Sequence, residues 1–315
     1  MVILVTGGSG YIGSLLIRRL PFEHGFEGEV VRIFDNMAGG KYYSLFDLPD
    51  AKYEFVLGDL TKPEDLRRAL VDVDVIFDLA GITSVPLSYR MKEETRRINV
   101  EGARNLLEVA LSSGVQRVIY SSSAAVYGDV EGVVSEDHPC RPSSPYAETK
   151  LLAEQLYLKA HRERGLKVSI LRLGTVYGYA PGARFDTVVN KFAFLAAVGE
   201  PLTVWRGAER SMRPYLYVGD AVSAFMLVAQ RPDAVGGVYN VVTENATLGE
   251  VVEAVRECIP TVKVVTVEPP YERQVSYGLD DGKIRRLGFR PRGSLKLGVE
   301  EIVKKFSAFR WRLHR

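Results

Sequence analysis

Tyr146 and Lys150 stand four residues apart in Ser144-Pro145-Tyr146-Ala147-Glu148-Thr149-Lys150, and the run Ser121-Ser122-Ser123 precedes them. Residues at that spacing share one face of a helix, so a phenol and an ammonium point the same way. Phenol ionises near pH 10 and is a poor base at neutral pH. A nearby ammonium favours phenolate, which makes Tyr146 a candidate base for taking the proton of an alcohol. A serine hydroxyl at the carboxyl end of a neighbouring strand can hydrogen-bond the reacting oxygen and hold it in line. The plain alternative packs Tyr146 in a core and leaves Lys150 solvated, because Tyr-x-x-x-Lys alone is weak evidence.

Such a trio needs a scaffold and an acceptor for electrons, and the start of the chain offers both. Val2-Ile3-Leu4-Val5-Thr6 runs into Gly7-Gly8-Ser9-Gly10-Tyr11-Ile12-Gly13, which reads as a buried strand turning tightly into a helix. Free backbone N–H groups and a positive helix end at such a turn bind a pyrophosphate. Glycines permit the turn, the close approach of phosphate and the packing of helix on strand. Val30-Val31-Arg32-Ile33-Phe34 then reads as a second strand ending in Asp35. A carboxylate there accepts hydrogen bonds from a ribose 2′-hydroxyl and repels a 2′-phosphate, which favours NAD over NADP. The alternative for Asp35 is a cap on the following turn. A nicotinamide beside Ser, Tyr and Lys makes hydride transfer the expected chemistry, and its positive ring further favours the phenolate.

Strands and helices alternate through the first half. Strands are expected at Glu54-Phe55-Val56-Leu57, at Val73 to Leu79, at Arg117-Val118-Ile119-Tyr120 and at Val168-Ser169-Ile170-Leu171, with helices near 64–70, 93–113 and 146–164 between them. Alternation of this kind specifies a parallel sheet covered on both faces, a Rossmann-type doubly wound α/β fold with its ligand site at the carboxyl ends of the strands. Past Thr175 the rhythm changes, with one helix near 187–198 and a turn-rich segment around it. Tyr215-Leu216-Tyr217-Val218 reads as a return to the sheet, followed by a helix with Asp220 as N-cap. The expected organisation is a cofactor-binding domain of residues 1–174 plus 212–243. A smaller, interleaved C-terminal substrate domain takes 175–211 plus 244–315.

Bulk properties exclude several other classes. The chain has 315 residues, 46% of them hydrophobic and 25% charged, with a net charge of +2. That balance is ordinary for a globular protein and argues against one built mainly to hold nucleic acid. No apolar run approaches the length of a membrane span, and the first residues already read as a strand rather than a signal peptide. Cys140 and Cys258 lie far apart without paired ligand spacing, so free thiols in the cytoplasm are expected, with no metal site. His24, His138, His161 and His314 show no ligand spacing either. The basic, aromatic stretch from Lys304 to Arg315 suggests a nucleic-acid or membrane-surface contact on one reading. On the simpler reading it complements the negative end of a helix.

These motifs together resemble the extended short-chain dehydrogenase/reductase family, in its NAD-dependent sugar epimerase/dehydratase branch. The resemblance rests on Thr6 to Gly13, Phe34-Asp35-Asn36, Gly58-Asp59-Leu60, Asn99-Val100-Glu101-Gly102, Ser121 to Gly128, Ser144 to Lys150 and Leu171 to Gly178. It resumes at Arg213 to Asp220 and ends with Lys283 to Pro291. It implies that Gly7, Gly10 and Gly13 hold the pyrophosphate, with Tyr11 and Ile12 beside it. Asp35 and Asn36 would take the adenosine ribose, Asp59 and Leu60 would line the adenine, and Leu79 and Ala80 would pass under the cofactor. Asn99 and Ser121 would support the site. Ser123, Tyr146 and Lys150 would be the catalytic set, with Lys150 also holding the nicotinamide ribose.

Departures from the family pattern narrow the reaction. Sugar dehydratases place an acidic pair directly after the catalytic hydroxyl and nucleotide-sugar decarboxylases a glutamate, whereas this chain has Ala124 and Ala125. Alanine can neither protonate a leaving hydroxyl nor abstract a second proton. Epimerisation at C4 of a nucleotide sugar is therefore the expected activity, through a transient 4-keto sugar. A net NAD(P)-dependent oxidoreductase, such as a keto-sugar reductase or alcohol dehydrogenase, is the alternative, and a non-catalytic NAD-binding scaffold a weaker one. Thr175 stands where many epimerases carry an asparagine, and Pro214 replaces an acid after Arg213. Ser123, Thr175, Arg213 and Arg273 are the candidate substrate residues, the arginines as clamps for a diphosphate. Trp205 can stack on a base, though a lone aromatic in a strand is more often core. Apolar bands on the helices around 100–111 and 146–160 exceed one buried stripe, so a homodimer paired through a four-helix interface is expected.

Overall fold

The computed structural model describes residues 1–268 and 276–312. Its first half follows the expected alternation. β1 (Val2–Thr6), α1 (Tyr11–Arg19), β2 (Val30–Asp35), β3 (Tyr53–Leu57), α2 (Pro63–Ala69) and β4 (Val73–Asp78) come in that order. Next come α3 (Val85–Arg90), α4 (Lys92–Arg96) and α5 (Gly102–Ser112), the last two joined through one π-helical turn at Arg97–Glu101. β5 (Arg117–Ser123), β6 (Glu131–Val134), α6 (Pro145–Arg164), β7 (Lys167–Leu173) and β8 (Thr175–Tyr177) complete this half. The remainder comprises α7 (Val188–Ala197), β9 (Leu202–Trp205), β10 (Met212–Tyr217), α8 (Val218–Gln230), β11 (Val238–Val241) and β12 (Glu244–Thr247). It closes with α9 (Leu248–Cys258), β13 (Val264–Val267), β14 (Ser276–Leu279), α10 (Gly282–Arg286) and α11 (Leu295–Lys305).

Seven strands form one parallel sheet in the order β11-β7-β5-β4-β1-β2-β3. From β1 the chain moves outward through β2 to β3, then returns to lay β4, β5, β7 and β11 on the other side. The order reverses between β1 and β4, and a crevice at the carboxyl ends of the strands opens at such a point. Thr6, Asp78 and Ser123 end the strands there. Strands rich in Val, Ile and Leu suit burial on both faces. One face packs on α1 and α8 through Leu16, Ile17, Val222 and Phe225, and the other on α2, α5 and α6 through Leu66, Leu106, Ala153 and Tyr157. A separate core around Val189, Ala193, Val251, Val255, Val299 and Ile302 joins α7, α9 and α11 to β10.

Three expectations need correction. The Tyr215–Val218 run does not return to the main sheet. β10 pairs instead with β8 in parallel and with β12 in antiparallel, and the strand that rejoins the main sheet is β11. Asp220 is not the N-cap of its helix, which starts at Val218. Its buried carboxylate accepts hydrogen bonds from Thr243 Oγ1 and from the backbone N–H groups of Arg292 and Gly293, so it ties three distant segments together. Trp205 is exposed on β9 rather than part of the core.

Most of the apolar bands expected on α5 and α6 are covered by the chain itself. Val100, Ala103, Leu106, Leu107, Ala110, Ala147 and Ala160 are buried, while Leu111, Leu152 and Leu156 stay half-buried. Among the described residues no helix is long and apolar enough to cross a membrane. Among the described residues Cys140 and Cys258 form no disulfide.

Candidate active site

The glycine turn between β1 and α1 is enforced by its own backbone. Gly7 sits at φ +66°, in the left-handed region. A Cβ on Gly13 would lie 2.2 Å from the Gly7 carbonyl oxygen, and one on Gly7 would lie 2.9 Å from Ala80 Cα. No side chain caps the start of α1, so the N–H groups there keep the positive helix end open to an anion. A pyrophosphate fits this cradle, with Leu79 and Ala80 directly under Gly7 as its floor. That floor is itself fixed, because the N–H groups of Leu79 and Ala80 both donate to Thr6 Oγ1 at 3.1 Å.

Each remaining cofactor candidate has a definite neighbour. Asp35 accepts from Ser9 N at 3.0 Å and Met37 N at 2.9 Å, so it braces the glycine turn and caps the next one. Each carboxylate oxygen retains capacity for a ribose hydroxyl. Asn36 Oδ1 accepts from Ala38 N, and Asp59 Oδ1 accepts from both the N–H and the hydroxyl of Thr61. Leu60 is buried, with Gly102 packed against it, and Ile12 packs partly on the core. Tyr11 is buried, and its hydroxyl donates to Gly178 O while accepting from Asn190 Nδ2 at 3.0 Å. What Tyr11 can offer a phosphate is therefore backbone, since its phenol is spent on the segment that follows β8. Asn99 lies in the π-helical turn, buried. There its amide exchanges hydrogen bonds with both the N–H and the carbonyl of Ile82 and donates to Thr149 Oγ1. That clamp ties the loop after β4 to α6.

Helix α6 carries the phenol and the ammonium. Ser144 caps it, its Oγ accepting from Ala147 N, and Pro145 opens its first turn. Tyr146 thus lies in the first turn, where the helix end favours negative charge, and its N–H donates to Ser88 Oγ at 3.1 Å. One turn on, Lys150 is buried, donates to Ser121 O at 2.7 Å and lies over the Tyr120 ring, 4.8 Å from its centroid. Ser123 ends β5, its Oγ accepting from Ala125 N and hydrogen-bonded to the Tyr146 phenol. Of the three side chains expected as a catalytic set, Ser123 and Tyr146 meet, while Lys150 lies one turn along α6 on Ser121 O.

The electrostatics differ from the sequence expectation. Burial raises the Tyr146 phenol above its ordinary value, opposed by the Ser123 hydrogen bond and by the charge of Arg184. Burial is thus the largest influence on the phenol, and the Lys150 ammonium is directed to Ser121 O. Burial also pushes Lys150 down to about 8, against the pull of Asp78 and Glu154.

The substrate candidates are more scattered. Thr175 lies on β8, half-buried, paired with Tyr215. Arg213 on β10 lies over the Tyr277 ring, 5.6 Å from its centroid. Arg273 lies outside the described residues. Two side chains that the sequence reading missed belong here. Buried Tyr277 reaches the site because β14 pairs with β6, and it interacts electrostatically with both Tyr146 and Arg213. Arg184, in the segment after β8, is held by Asp186 and donates to Thr83 Oγ1 at 2.8 Å. Neither carries a spacing signal, since each is brought in by long-range packing.

Comparison with known proteins bears on the family and the fold. The family described as "NAD dependent epimerase/dehydratase family" matches residues 3–241. A low-salt glycan biosynthesis protein, Agl12, of Haloferax volcanii is 30% identical over 96% of this chain and 97% of its own length. A dTDP-glucose 4,6-dehydratase of Streptomyces niveus is 31% identical over 96% of this chain and 92% of its own. The crystal structure of Thermus thermophilus UDP-glucose 4-epimerase, solved with NAD, superposes with a TM-score of 0.83 at 31% identity, covering 97% of this chain and 99% of that one. Family match, relatives and fold agree on one assignment: the chain belongs to the NAD-dependent epimerase/dehydratase family, an extended short-chain dehydrogenase/reductase with a Rossmann-type sheet.

Proposed function

We propose that this member of the family is a nucleotide-sugar 4-epimerase. The observation that carries the reading is a complete Ser123, Tyr146 and Lys150 set followed by Ala124 and Ala125. Ala124 is buried and both alanines lie in the turn straight after Ser123, so no carboxylate stands at those two positions to drive out a hydroxyl. Relatives named dehydratase share the fold, and the two alanines are what supports reading the present chain apart from that reaction.

In this reading NAD supplies reversible hydride acceptance at the sugar carbon. Tyr146, as phenolate, removes the proton of the 4-hydroxyl and later returns it. Ser123 donates to the same oxygen and keeps it in line with the phenol. Lys150 provides a buried positive charge and a donor toward the nicotinamide ribose. Arg184 offsets the burial that disfavours phenolate, so part of the electrostatic work passes to it. Arg213, with Arg273, clamps the diphosphate, and Tyr277 with Thr175 walls the sugar. Inversion at C4 then needs room for the keto sugar to turn between removal and return of the proton.

The same proposal includes a division into a cofactor-binding part and a substrate-binding part near the boundaries expected from the sequence. It also includes a cytoplasmic location and a homodimer paired through α5 and α6. Sedimentation checks the dimer, which requires a species of twice the 35.0 kDa monomer. The activity is tested by giving the purified protein UDP-glucose, UDP-galactose and their N-acetyl forms. The expected result is interconversion of one pair without added cofactor. Stoichiometric consumption of free NAD(H) would instead favour the oxidoreductase, a reading the altered positions Thr175 and Pro214 allow.

A further inference from the structure

Below the triad lies a set of buried charges with no part in the reaction as drawn. Asp78 ends β4, fully buried, and accepts from Thr6 Oγ1 at 2.6 Å and from the Tyr157 hydroxyl. Thr6 Oγ1 already accepts the N–H groups of Leu79 and Ala80, so its own proton can only go to Asp78. Asp78 Oδ1 is therefore an unprotonated acceptor. The Tyr157 ring stacks on Tyr120 with centroids 4.4 Å apart, and the Lys150 ammonium sits over Tyr120. Asp78 and Lys150 thus engage one stacked pair of rings.

The other carboxylate facing Lys150 has a cation of its own. Glu154, one turn along α6, is gripped by Arg172 of β7 through Nε at 3.0 Å and a terminal nitrogen at 2.8 Å, and Ser122 Oγ donates to it. Tyr120 on β5, and Tyr146 and Tyr157 on α6, are phenols pushed up by burial. Glu154 also pulls on Lys150 but is paired with Arg172, whereas Asp78 is hydrogen-bonded by the hydroxyls of Thr6 and Tyr157. An isolated ammonium in such a site would lose its proton rather than stay charged.

We infer that Asp78 is the buried counter-charge of Lys150 and, through Thr6, the residue that fixes the cofactor floor. It is a positioning residue: one oxygen sets the Thr6 hydroxyl that holds Leu79 and Ala80, and the whole carboxylate keeps the ammonium charged. This rests on Lys150 as the cation of the triad and not on which sugar is turned over. Burial drives Lys150 down and Asp78 up, and each opposes the shift of the other.

The test is an NMR titration of protein carrying ¹³C-labelled lysine side chains, purified with its bound cofactor. The Lys150 signal is identified by its loss in Lys150→Met. Asp78→Asn should lower the Lys150 midpoint by about one pH unit or more, whereas Tyr157→Phe, which keeps the carboxylate, should move it far less. An Asp78→Asn midpoint equal to that of the wild type overturns the inference. If Asp78→Asn does not fold, the wild type still decides. The Asp78 carboxyl carbon must respond at the Lys150 midpoint and lose that response in Lys150→Met; a flat signal there overturns it. Neither readout uses turnover, so failure here and failure of the 4-epimerase reading are separate results.

Discussion

The glycine turn of residues 6–13 and the segment of residues 178–190 lie against each other but are built by different means. The turn is local. Gly7 takes a left-handed conformation and Gly13 leaves no room for a Cβ beside the Gly7 carbonyl. The segment is held from far away in the chain: Tyr11 reaches Gly178 O, Gly182 N donates to Ser14 Oγ at 2.9 Å, and Lys41 Nζ donates to Gly182 O at 2.7 Å. Asn190 closes the arrangement on Tyr11 and on Arg184 O. The difference teaches how such an enzyme divides its work. Cofactor handling is written into a short backbone motif that tolerates little change. The segment beside it is hung from that motif by side-chain hydrogen bonds between residues distant in the chain.

The largest effect is expected at the chemistry. Tyr146→Phe keeps the ring and loses the proposed base, so turnover should fall by about 10²- to 10⁴-fold with bound NAD unchanged. Measuring cofactor released on denaturation beside the rate checks both halves of that statement. Gly13→Ala comes next: its Cβ would meet the Gly7 carbonyl at 2.2 Å, so the turn must shift. The cost should be about 1–3 kcal/mol, seen as a lower melting temperature and as protein purified with little NAD.

Tyr11→Phe breaks the comparison from the other side. It removes the donor to Gly178 O and the acceptor of Asn190 Nδ2 while leaving the turn intact. A stability loss of about 1–3 kcal/mol is expected, with NAD retained and KM for substrate raised. Loss of NAD in this variant would show that the two regions are one unit. The smallest effect belongs to Arg184→Gln. The positive charge of Arg184 favours the Tyr146 phenolate, so without it the phenol ionises at higher pH. With the phenolate as the proposed base, the acidic limb of the kcat/KM profile should move to higher pH by less than about one unit. A limb that stays in place would remove Arg184 from the electrostatics of the site.

What the sequence made legible follows the same division. The glycine turn, the strand–helix alternation and the Tyr146/Lys150 face depend on residues near in the chain, where periodicity and spacing carry the signal. The Tyr215–Val218 run reads as a sheet strand because it is apolar and precedes a helix, yet its partners, Thr175–Tyr177 and Glu244–Thr247, are set by pairing across the chain. The strand that does rejoin the main sheet has four residues and too little pattern to stand out. Arg184 and Tyr277 sit in no motif and come to Tyr146 through folding alone. The burial of the Tyr146 phenol is illegible for a related reason: spacing shows that an ammonium lies on the same face, but not that it is directed to Ser121 O nor how deeply the phenol is buried.

The central claim is that one bound cofactor removes and returns the same hydride at C4 while Tyr146 handles the proton. The most direct measurement follows a UDP-sugar deuterated at C4 by NMR in ordinary water, with no nicotinamide added. The account predicts the 4-epimer with deuterium still at C4 and no net change in nicotinamide absorbance. A 6-deoxy-4-keto product formed by loss of water, or deuterium passing stoichiometrically to free cofactor, would contradict it.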